Sequence, residues 1–176
     1  MKKLFILLVA IAMVTVIGSK KEESATAVVT PKDPIIGTWV SEGLNVPFGL
    51  RYLKIKKIVA SFNENKSYTV ISTDSSNVTA TVTGTYSNSE SSFTDTLSSS
   101  STKGSKINTI TANQNTPALT ATGIYTISGT KMAYEVIQST PALPGPTLPP
   151  TAAGGFGSTT IAGNKNAFYI QIYVKQ

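Results

Sequence analysis

The stretch Ile35-Ile36-Gly37-Thr38-Trp39-Val40 contains the only tryptophan of the 176-residue chain. In an extended strand, Ile35, Gly37 and Trp39 face one side, and the glycine lets a neighbouring side chain approach the backbone closely. Pro34 comes directly before this stretch and discourages a helix there. The folded domain is therefore predicted to begin near Ile35 and to be organised around the indole of Trp39.

The composition favours one all-β domain. Hydrophobic residues make up 40% of the chain and charged residues only 14%, and the many serines and threonines suit strands better than helices. The chain has no cysteine and no histidine. Their absence removes disulfides, thiol nucleophiles, the usual zinc sites and the commonest general base. We therefore predict no enzyme activity, no cofactor and no metal site.

The formal net charge of +6 is modest. The densest basic run is Arg51-Tyr52-Leu53-Lys54-Ile55-Lys56-Lys57, and elsewhere basic residues are not interleaved with aromatic ones as nucleic-acid binding requires. We predict no nucleic-acid partner. The run is interpreted as a basic strand that faces water or lipid headgroups.

The beginning of the chain has the pattern of an export signal. Met1-Lys2-Lys3 is positively charged, and residues 4–17 form an apolar run that is short for a membrane span. We predict a signal peptide over residues 1–18, a polar tether over residues 19–34 and a folded domain over residues 35–176.

The end of this leader, Val16-Ile17-Gly18-Ser19, resembles the lipobox of bacterial lipoproteins, with Ser19 where that family has its acylated cysteine. A serine hydroxyl does not replace the thiolate that forms the lipid thioether. Either Ser19 replaces a natural cysteine, which would attach the protein to a membrane through a lipid anchor, or an ordinary signal peptidase cleaves after Gly18. Both alternatives predict an exported protein of the bacterial cell envelope: an outer-membrane lipoprotein, or a protein of the periplasm or cell surface.

The rest of the chain is predicted to form strands joined by turns. Strands are expected over residues 50–62, 67–73, 77–87, 91–98, 107–111, 119–128 and 167–175. A further strand is expected to follow the tight turn at residues 128–131. The change of alternation at Lys56-Lys57 predicts a β-bulge. The last strand is so apolar that we expect it to pair with the first.

One segment of the predicted sheet is repeated. Thr120-Ala121-Thr122-Gly123-Ile124-Tyr125 repeats Thr81-Val82-Thr83-Gly84-Thr85-Tyr86, and the same spacing aligns Phe93 with Met132 and Asp95 with Tyr134. We therefore expect a complete hairpin to recur, with Phe93 and Asp95 facing inward.

These features resemble bacterial lipocalin-like domains. Ile36-Gly37-Thr38-Trp39 is similar to their Gly-x-Trp start, and the repeated Thr-Gly-x-Tyr segments are similar to their later hairpins. The resemblance implies a small antiparallel meander β-barrel of about eight to ten strands. It also implies that Trp39 closes one end of the barrel beneath a basic side chain of the last strand. We expect Lys175 to be that side chain and Gly37 to give it room.

The resemblance further implies that the barrel interior binds a small apolar or amphipathic molecule. The residues predicted to line that site are Trp39, Val82, Tyr86, Phe93, Asp95, Tyr125, Tyr134 and Phe156. The same residues also describe a filled core. The alternative is a surface structural or adhesion module with unknown protein partners, a dry core and an exposed apolar patch. An integral outer-membrane barrel is disfavoured, because the threonine-rich faces lack apolar bands and aromatic girdles.

The loop over residues 139–166 is rich in proline and then in glycine. A connection of this length is often functional. Phe156, set among glycines, is predicted to enter the barrel mouth, and a surface insertion is the alternative.

Overall fold

Eight strands of the computed structural model close into a barrel, and they follow one another around it in chain order. The barrel strands are β1 (Gly37–Glu42), β2 (Ile55–Phe62), β3 (Ser67–Asp74), β4 (Thr79–Thr94), β5 (Lys106–Gln114), β6 (Leu119–Ser128), β7 (Lys131–Thr140) and β10 (Gln171–Lys175). All neighbouring strands are antiparallel. This confirms the predicted all-β meander barrel, with eight strands.

The structure describes residues 32–97 and 100–176. The predictions on the signal peptide, on Ser19 and on most of the tether lie outside the described residues. The shorter elements are a 3₁₀ turn (Gly43–Asn45), helix α1 (Phe48–Tyr52) and the hairpin of β8 (Thr160–Ile161) with β9 (Asn164–Lys165).

The first and last strands close the barrel. β1 pairs with β10 through Trp39 opposite Lys175 and Val40 opposite Val174, as the apolar last strand predicted. Because successive strands run in opposite directions, their connections lie at two ends. We call the end with residues 63–66, 95–97, 100–105 and 129–130 the lower end, and the end with residues 43–54, 75–78 and 115–118 the upper end.

The barrel interior is filled mainly by aromatic and aliphatic side chains from all eight strands. Members of this buried cluster include Trp39, Ile58, Ala60, Phe62, Tyr68, Tyr86, Ile110, Ala112, Tyr125, Met132 and Tyr173. Along each strand they occupy alternate positions, so they share the inner face of the closed sheet. The tryptophan is 0% exposed, and a close-packed core surrounds it.

A second buried cluster lies on the outer face of the barrel. Ile107, Ile124 and Ala133 pack there with Phe156 of the long loop. Ile124 and Ala133 each adjoin a core residue in the chain, so their side chains point away from the interior. Residues 141–170 therefore lead from β7 to β10 and cover an apolar outer surface on the way.

Four of the predicted strands differ from the structure, and one of them, predicted over residues 167–175, begins only at Gln171 because residues 167–170 lie in a turn. β4 is one strand of 16 residues, so the expected hairpin of residues 77–87 with residues 91–98 is wrong, and so is its recurrence as a complete hairpin. The polar run 87–90 continues the ladder with β5, and after a register shift the pairing resumes at Thr94. An antiparallel strand with one face in water does not need apolar alternation to pair. Residues 50–54 form the end of α1 and a turn instead of a strand. The predicted bulge is present, as a register shift between Ile55 and Lys57.

The glycine of each Thr-Gly-x-Tyr segment allows two backbones to approach closely. A Cβ atom at Gly84 would collide with the Asn113 carbonyl oxygen and lie 2.8 Å from Tyr68 Cε1, and one at Gly123 would collide with the Glu135 carbonyl oxygen. Any larger residue at these positions must therefore push a neighbouring strand away.

We expect Gly84→Ala to lower the free energy of unfolding by about 3 kcal/mol, because the added methyl overpacks a backbone contact that cannot yield. Thr85→Ala, at the next and exposed position of the same strand, should cost less than about 1 kcal/mol. Urea unfolding monitored by the fluorescence of Trp39 measures both values. Equal stability of the two variants would contradict this account of the repeated glycine.

Candidate functional site

The segment of residues 32–36 lies across the lower end of the barrel and is held there by Trp39 and Lys175. Trp39 Nε1 donates a hydrogen bond to the Ile35 carbonyl oxygen at 2.7 Å. Lys175 Nζ lies 4.9 Å from the centroid of the Trp39 ring and donates to the Pro34 carbonyl oxygen at 3.0 Å. These bonds join the start of the domain to its last strand.

Gly37 makes room for this lysine. Its φ is +131°, and a Cβ atom there would lie 3.0 Å from Lys175 Cε. The structure thus brings Gly37, Trp39 and Lys175 together at one end of the barrel.

A polar cluster around Asp33 lies beside this closure. The Asp33 carboxylate accepts hydrogen bonds from Lys66 Nζ and Asn88 Nδ2, both at 2.9 Å. Burial opposes ionisation, but the bonds from Lys66, Asn88 and the Ile35 N–H outweigh it and lower the pKa of Asp33. Asn88 Nδ2 also donates to the Tyr125 hydroxyl at 2.6 Å, so the cluster reaches the barrel wall.

Next to this cluster a cleft of about 400 Å³ opens at the lower end of the barrel. The residues that line it are Pro34, Glu90, Lys106, Asn108, Tyr125, Ile127 and Gly129. Its volume falls within the range of small-molecule sites, about 300–1,000 Å³. A depression of about 450 Å³ beside residues 61–65 is more open to solvent, so the more enclosed cleft is the candidate binding site of the barrel.

The cleft has an apolar floor and a polar rim. Tyr125 is buried and Ile127 is partly buried, and both pack against the core. Glu90 and Lys106 are exposed at the entrance, and one carries a negative and the other a positive charge. Burial is the main cause that raises the pKa of Tyr125, so the hydroxyl is neutral near pH 7. The arrangement suits a molecule with an apolar body and a polar end.

Of the eight residues predicted to line a ligand site, Tyr125 alone lines this cleft. Trp39 and Tyr86 are buried in the core, and Val82 and Tyr134 pack against it. The rings of Tyr134 and Tyr173 meet edge to face, with centroids 5.8 Å apart. The other lining residues of the cleft were not predicted, because their inward positions follow from the register of the strands, which the sequence pattern alone does not fix.

The predicted inward placement of Phe93 is wrong, since its side chain is 46% exposed. Asp95 is buried, but outside the barrel strands. It accepts hydrogen bonds from the Thr102 hydroxyl at 2.9 Å and the Leu97 N–H at 3.0 Å. Both positions were assigned from the hairpin predicted between residues 77–87 and 91–98, and in the continuous strand β4 that assignment no longer holds. Asp95 organises the loop between β4 and β5.

The predicted entry of Phe156 into the barrel mouth is also wrong. Phe156 packs on Ile107, Ile124 and Ala133 on the outer face. Beside it the buried Glu135 carboxylate accepts hydrogen bonds from the Gly157 N–H at 2.7 Å and from the N–H and hydroxyl of Thr159. The loop is thus fixed to the barrel wall by an apolar contact and a buried carboxylate. Glu135 stands between apolar residues of β7, and that pattern was the signal that could have identified it.

Comparisons with protein families, curated proteins and solved structures found no match to this chain. The class that the fold and the site define is thus a closed antiparallel β-barrel with a cleft at one end. Within residues 32–97 and 100–176, no three acidic side chains come close enough to hold a metal ion. No helix in the same residues has the length and hydropathy needed to cross a membrane.

The buried Glu135 makes the free energy of unfolding depend on pH. Burial raises the pKa of Glu135 above its ordinary value of 4.5, although hydrogen bonds from Thr159 and Gly157 lower it in part. A carboxyl whose pKa is higher in the folded chain than in the unfolded chain stabilises the fold most at low pH, and this contribution is lost as the pH rises through the raised pKa. We expect the wild type to lose stability relative to Glu135→Gln as the pH rises above about 4.5.

Urea unfolding at a series of pH values measures this difference, with Glu90→Gln at an exposed position as the control. Asp33 does not interfere. Its pKa is lowered from the ordinary value of 3.8, so the stability that it contributes is lost only as the pH falls below that value. A difference between wild type and Glu135→Gln that stays constant with pH would contradict the assignment.

Proposed function

We propose that this protein is an exported, envelope-tethered lipocalin-like protein that binds a small amphipathic molecule in the cleft at the lower end of its barrel. The observation that carries the proposal is the cleft itself, where the ring of Tyr125 and the side chain of Ile127 form an apolar floor beneath the charged Glu90 and Lys106. Few convergent polar groups around an apolar pocket are typical of small-molecule sites.

Because core side chains fill the interior of the barrel, we place the binding site in the cleft and not in a central cavity. Trp39, Tyr86 and Tyr173 are buried members of the core, and displacing them would expose core surface. A ligand is therefore expected to lie against the wall at the lower end, with its apolar part on Tyr125 and Ile127. Its polar end would meet the charged side chains of the rim.

Export and tethering are proposed from the leader. The charged start, the apolar run and the lipobox-like Val16-Ile17-Gly18-Ser19 support a position in the cell envelope. With Ser19 as written, the chain reaches the envelope without the thioether lipid. A cysteine at this position in the natural protein would add a membrane anchor.

A structural or adhesion module that contacts other proteins is the second candidate. One observation favours it: large apolar side chains are exposed at the upper end of the barrel, among them Phe48, Tyr52 and Leu53. These residues lie at the opposite end from the cleft, so the two candidates are tested separately.

Native mass spectrometry tests the binding proposal on protein purified gently from an exporting bacterial host and incubated with fatty acids. We expect an adduct that is lost on denaturation. Asn108→Trp places an indole in the cleft and should reduce the adduct by about tenfold or more, because the occupied volume leaves no room for the ligand. Thr109→Trp, at the adjacent exposed position of β5, is the matched control and should retain it.

A second variant keeps the test independent of folding. Glu90→Gln with Lys106→Gln removes the rim charges at exposed positions and should weaken binding of a charged headgroup while the urea midpoint stays unchanged. A clean mass for the wild type, or equal adducts in Asn108→Trp and Thr109→Trp, would overturn the proposal.

A further inference from the structure

The upper end of the barrel carries a group of exposed apolar side chains, which we call the upper apolar patch. It consists of Phe48 (54% exposed), Tyr52 (81%), Leu53 (66%) and Phe168 (49%). These side chains border a shallow groove of about 380 Å³. Soluble proteins rarely leave such neighbouring groups in water unless the surface meets a partner.

The upper apolar patch is held rigidly on the barrel. The Gly49 N–H donates to the Phe168 carbonyl oxygen at 3.0 Å, and the rings of Phe48 and Phe168 lie 5.3 Å apart. Leu50, on the opposite side of α1, packs against the core. The helix is therefore anchored by one side chain while its neighbours project outward, and the exposed groups need no rearrangement to make contact.

Positive charge surrounds the upper apolar patch. Arg51, Lys54 and Lys56 are exposed beside it, and Arg51 Cζ lies 5.8 Å from the centroid of the Phe48 ring. Lys57 is paired with Glu42 at 3.5 Å. The salt bridges among the described residues do not include Arg51, Lys54 or Lys56. Lys56 Nζ donates a hydrogen bond to the neutral Asn77 amide, so none of the three cations is neutralised by an acidic partner there, and each can meet an external negative charge.

The nearby Asp74 forms no salt bridge with these cations. Asp74 faces the start of β2, opposite Ile55, but its carboxylate accepts hydrogen bonds from the N–H groups of Ser76 and Val78 in the turn between β3 and β4. The upper end therefore combines a basic rim with apolar side chains that protrude.

We propose that the upper end of the barrel docks on an anionic lipid surface. Phe48, Tyr52 and Leu53 would enter the boundary between headgroups and acyl chains, while Arg51, Lys54 and Lys56 meet the lipid phosphates. Aromatic and aliphatic side chains beside lysine and arginine are the chemistry of interfacial membrane binding. A protein partner of the same surface would need a complementary acidic rim and a concave fit to the protruding residues, whereas a lipid surface provides both negative charge and compliance.

This docking surface is independent of the cleft. The upper apolar patch belongs to the connection between β1 and β2 and to the residues before β10, whereas the cleft lies among the lower ends of β4, β5 and β6. The barrel could therefore bind a membrane at one end and a small molecule at the other. Failure of one proposal leaves the other intact.

Flotation of the purified protein with vesicles tests the docking surface. We use vesicles of phosphatidylglycerol and phosphatidylcholine in equal parts, and vesicles of phosphatidylcholine alone. The wild type is expected to float with the anionic vesicles, and less so at high salt, because exposed cations are screened. Tyr52→Ser with Leu53→Ser should weaken binding by about tenfold or more, since two apolar side chains no longer leave water for the membrane.

The matched control removes two apolar side chains that are exposed elsewhere, Phe93 (46% exposed) and Leu148 (62%). Phe93→Ser with Leu148→Ser should leave vesicle binding unchanged. Arg51→Gln with Lys54→Gln should abolish the preference for anionic vesicles, whereas Lys103→Gln with Lys131→Gln, at exposed positions of the lower end, should not. Unfolding midpoints equal to that of the wild type show that the variants fold.

Three outcomes would overturn the proposal: no flotation of the wild type, equal flotation of the patch and control variants, or equal binding to neutral and anionic vesicles. If the wild type does not float but dimerises in sedimentation, and Tyr52→Ser with Leu53→Ser abolishes the dimer, the surface contacts protein instead of lipid.

Discussion

The ladder between β1 and β10 joins the first strand to the last through two residue pairs, Trp39 with Lys175 and Val40 with Val174. A backbone bond at its margin extends it, from the Gln176 N–H to the Thr38 carbonyl oxygen at 3.0 Å. Without this pairing the eight strands would form an open sheet with two free edges. Closure also brings the lysine over the indole, so one short ladder both removes the edges and places the contact that covers the lower end.

The outer face explains the long loop. Along β6 and β7 apolar residues occupy consecutive positions, as in Ile124-Tyr125 and Met132-Ala133, so both faces of this part of the sheet are apolar. A sheet that is apolar on both faces must be covered on both. Residues 141–170 provide the outer cover through Phe156, and the buried Glu135 satisfies the N–H groups of Gly157 and Thr159 that this cover removes from water.

The sequence pattern was sufficient for the barrel but not for its site. Alternation in residues 119–128 and in residues 67–73, and the turn at residues 128–131, gave strands close to those observed. In β4 the alternation of apolar and polar residues ends after Tyr86, but the strand continues. Its lower half pairs with β5 and faces water, so it does not need apolar side chains. In β6 and β7 both faces of the sheet are apolar. The alternation of apolar and polar residues therefore could not show that Phe156 packs on the outer face. The cleft depends on registers such as Asn108 opposite Tyr125, which join distant parts of the chain.

Closure and binding are physically coupled at the lower end. Pro34 lines the cleft, and its carbonyl oxygen accepts the hydrogen bond from Lys175 Nζ that helps to hold the first and last strands together. A molecule that pushed Pro34 aside would have to break that bond and strain the adjoining bond from Trp39 Nε1 to the Ile35 carbonyl oxygen. The bond from Lys175 is exposed to water, but the bond from Trp39 is buried, and a buried polar group left without its partner is costly. A ligand of this cleft is therefore expected to bind with residues 32–36 in place, against the wall that Tyr125 and Ile127 form.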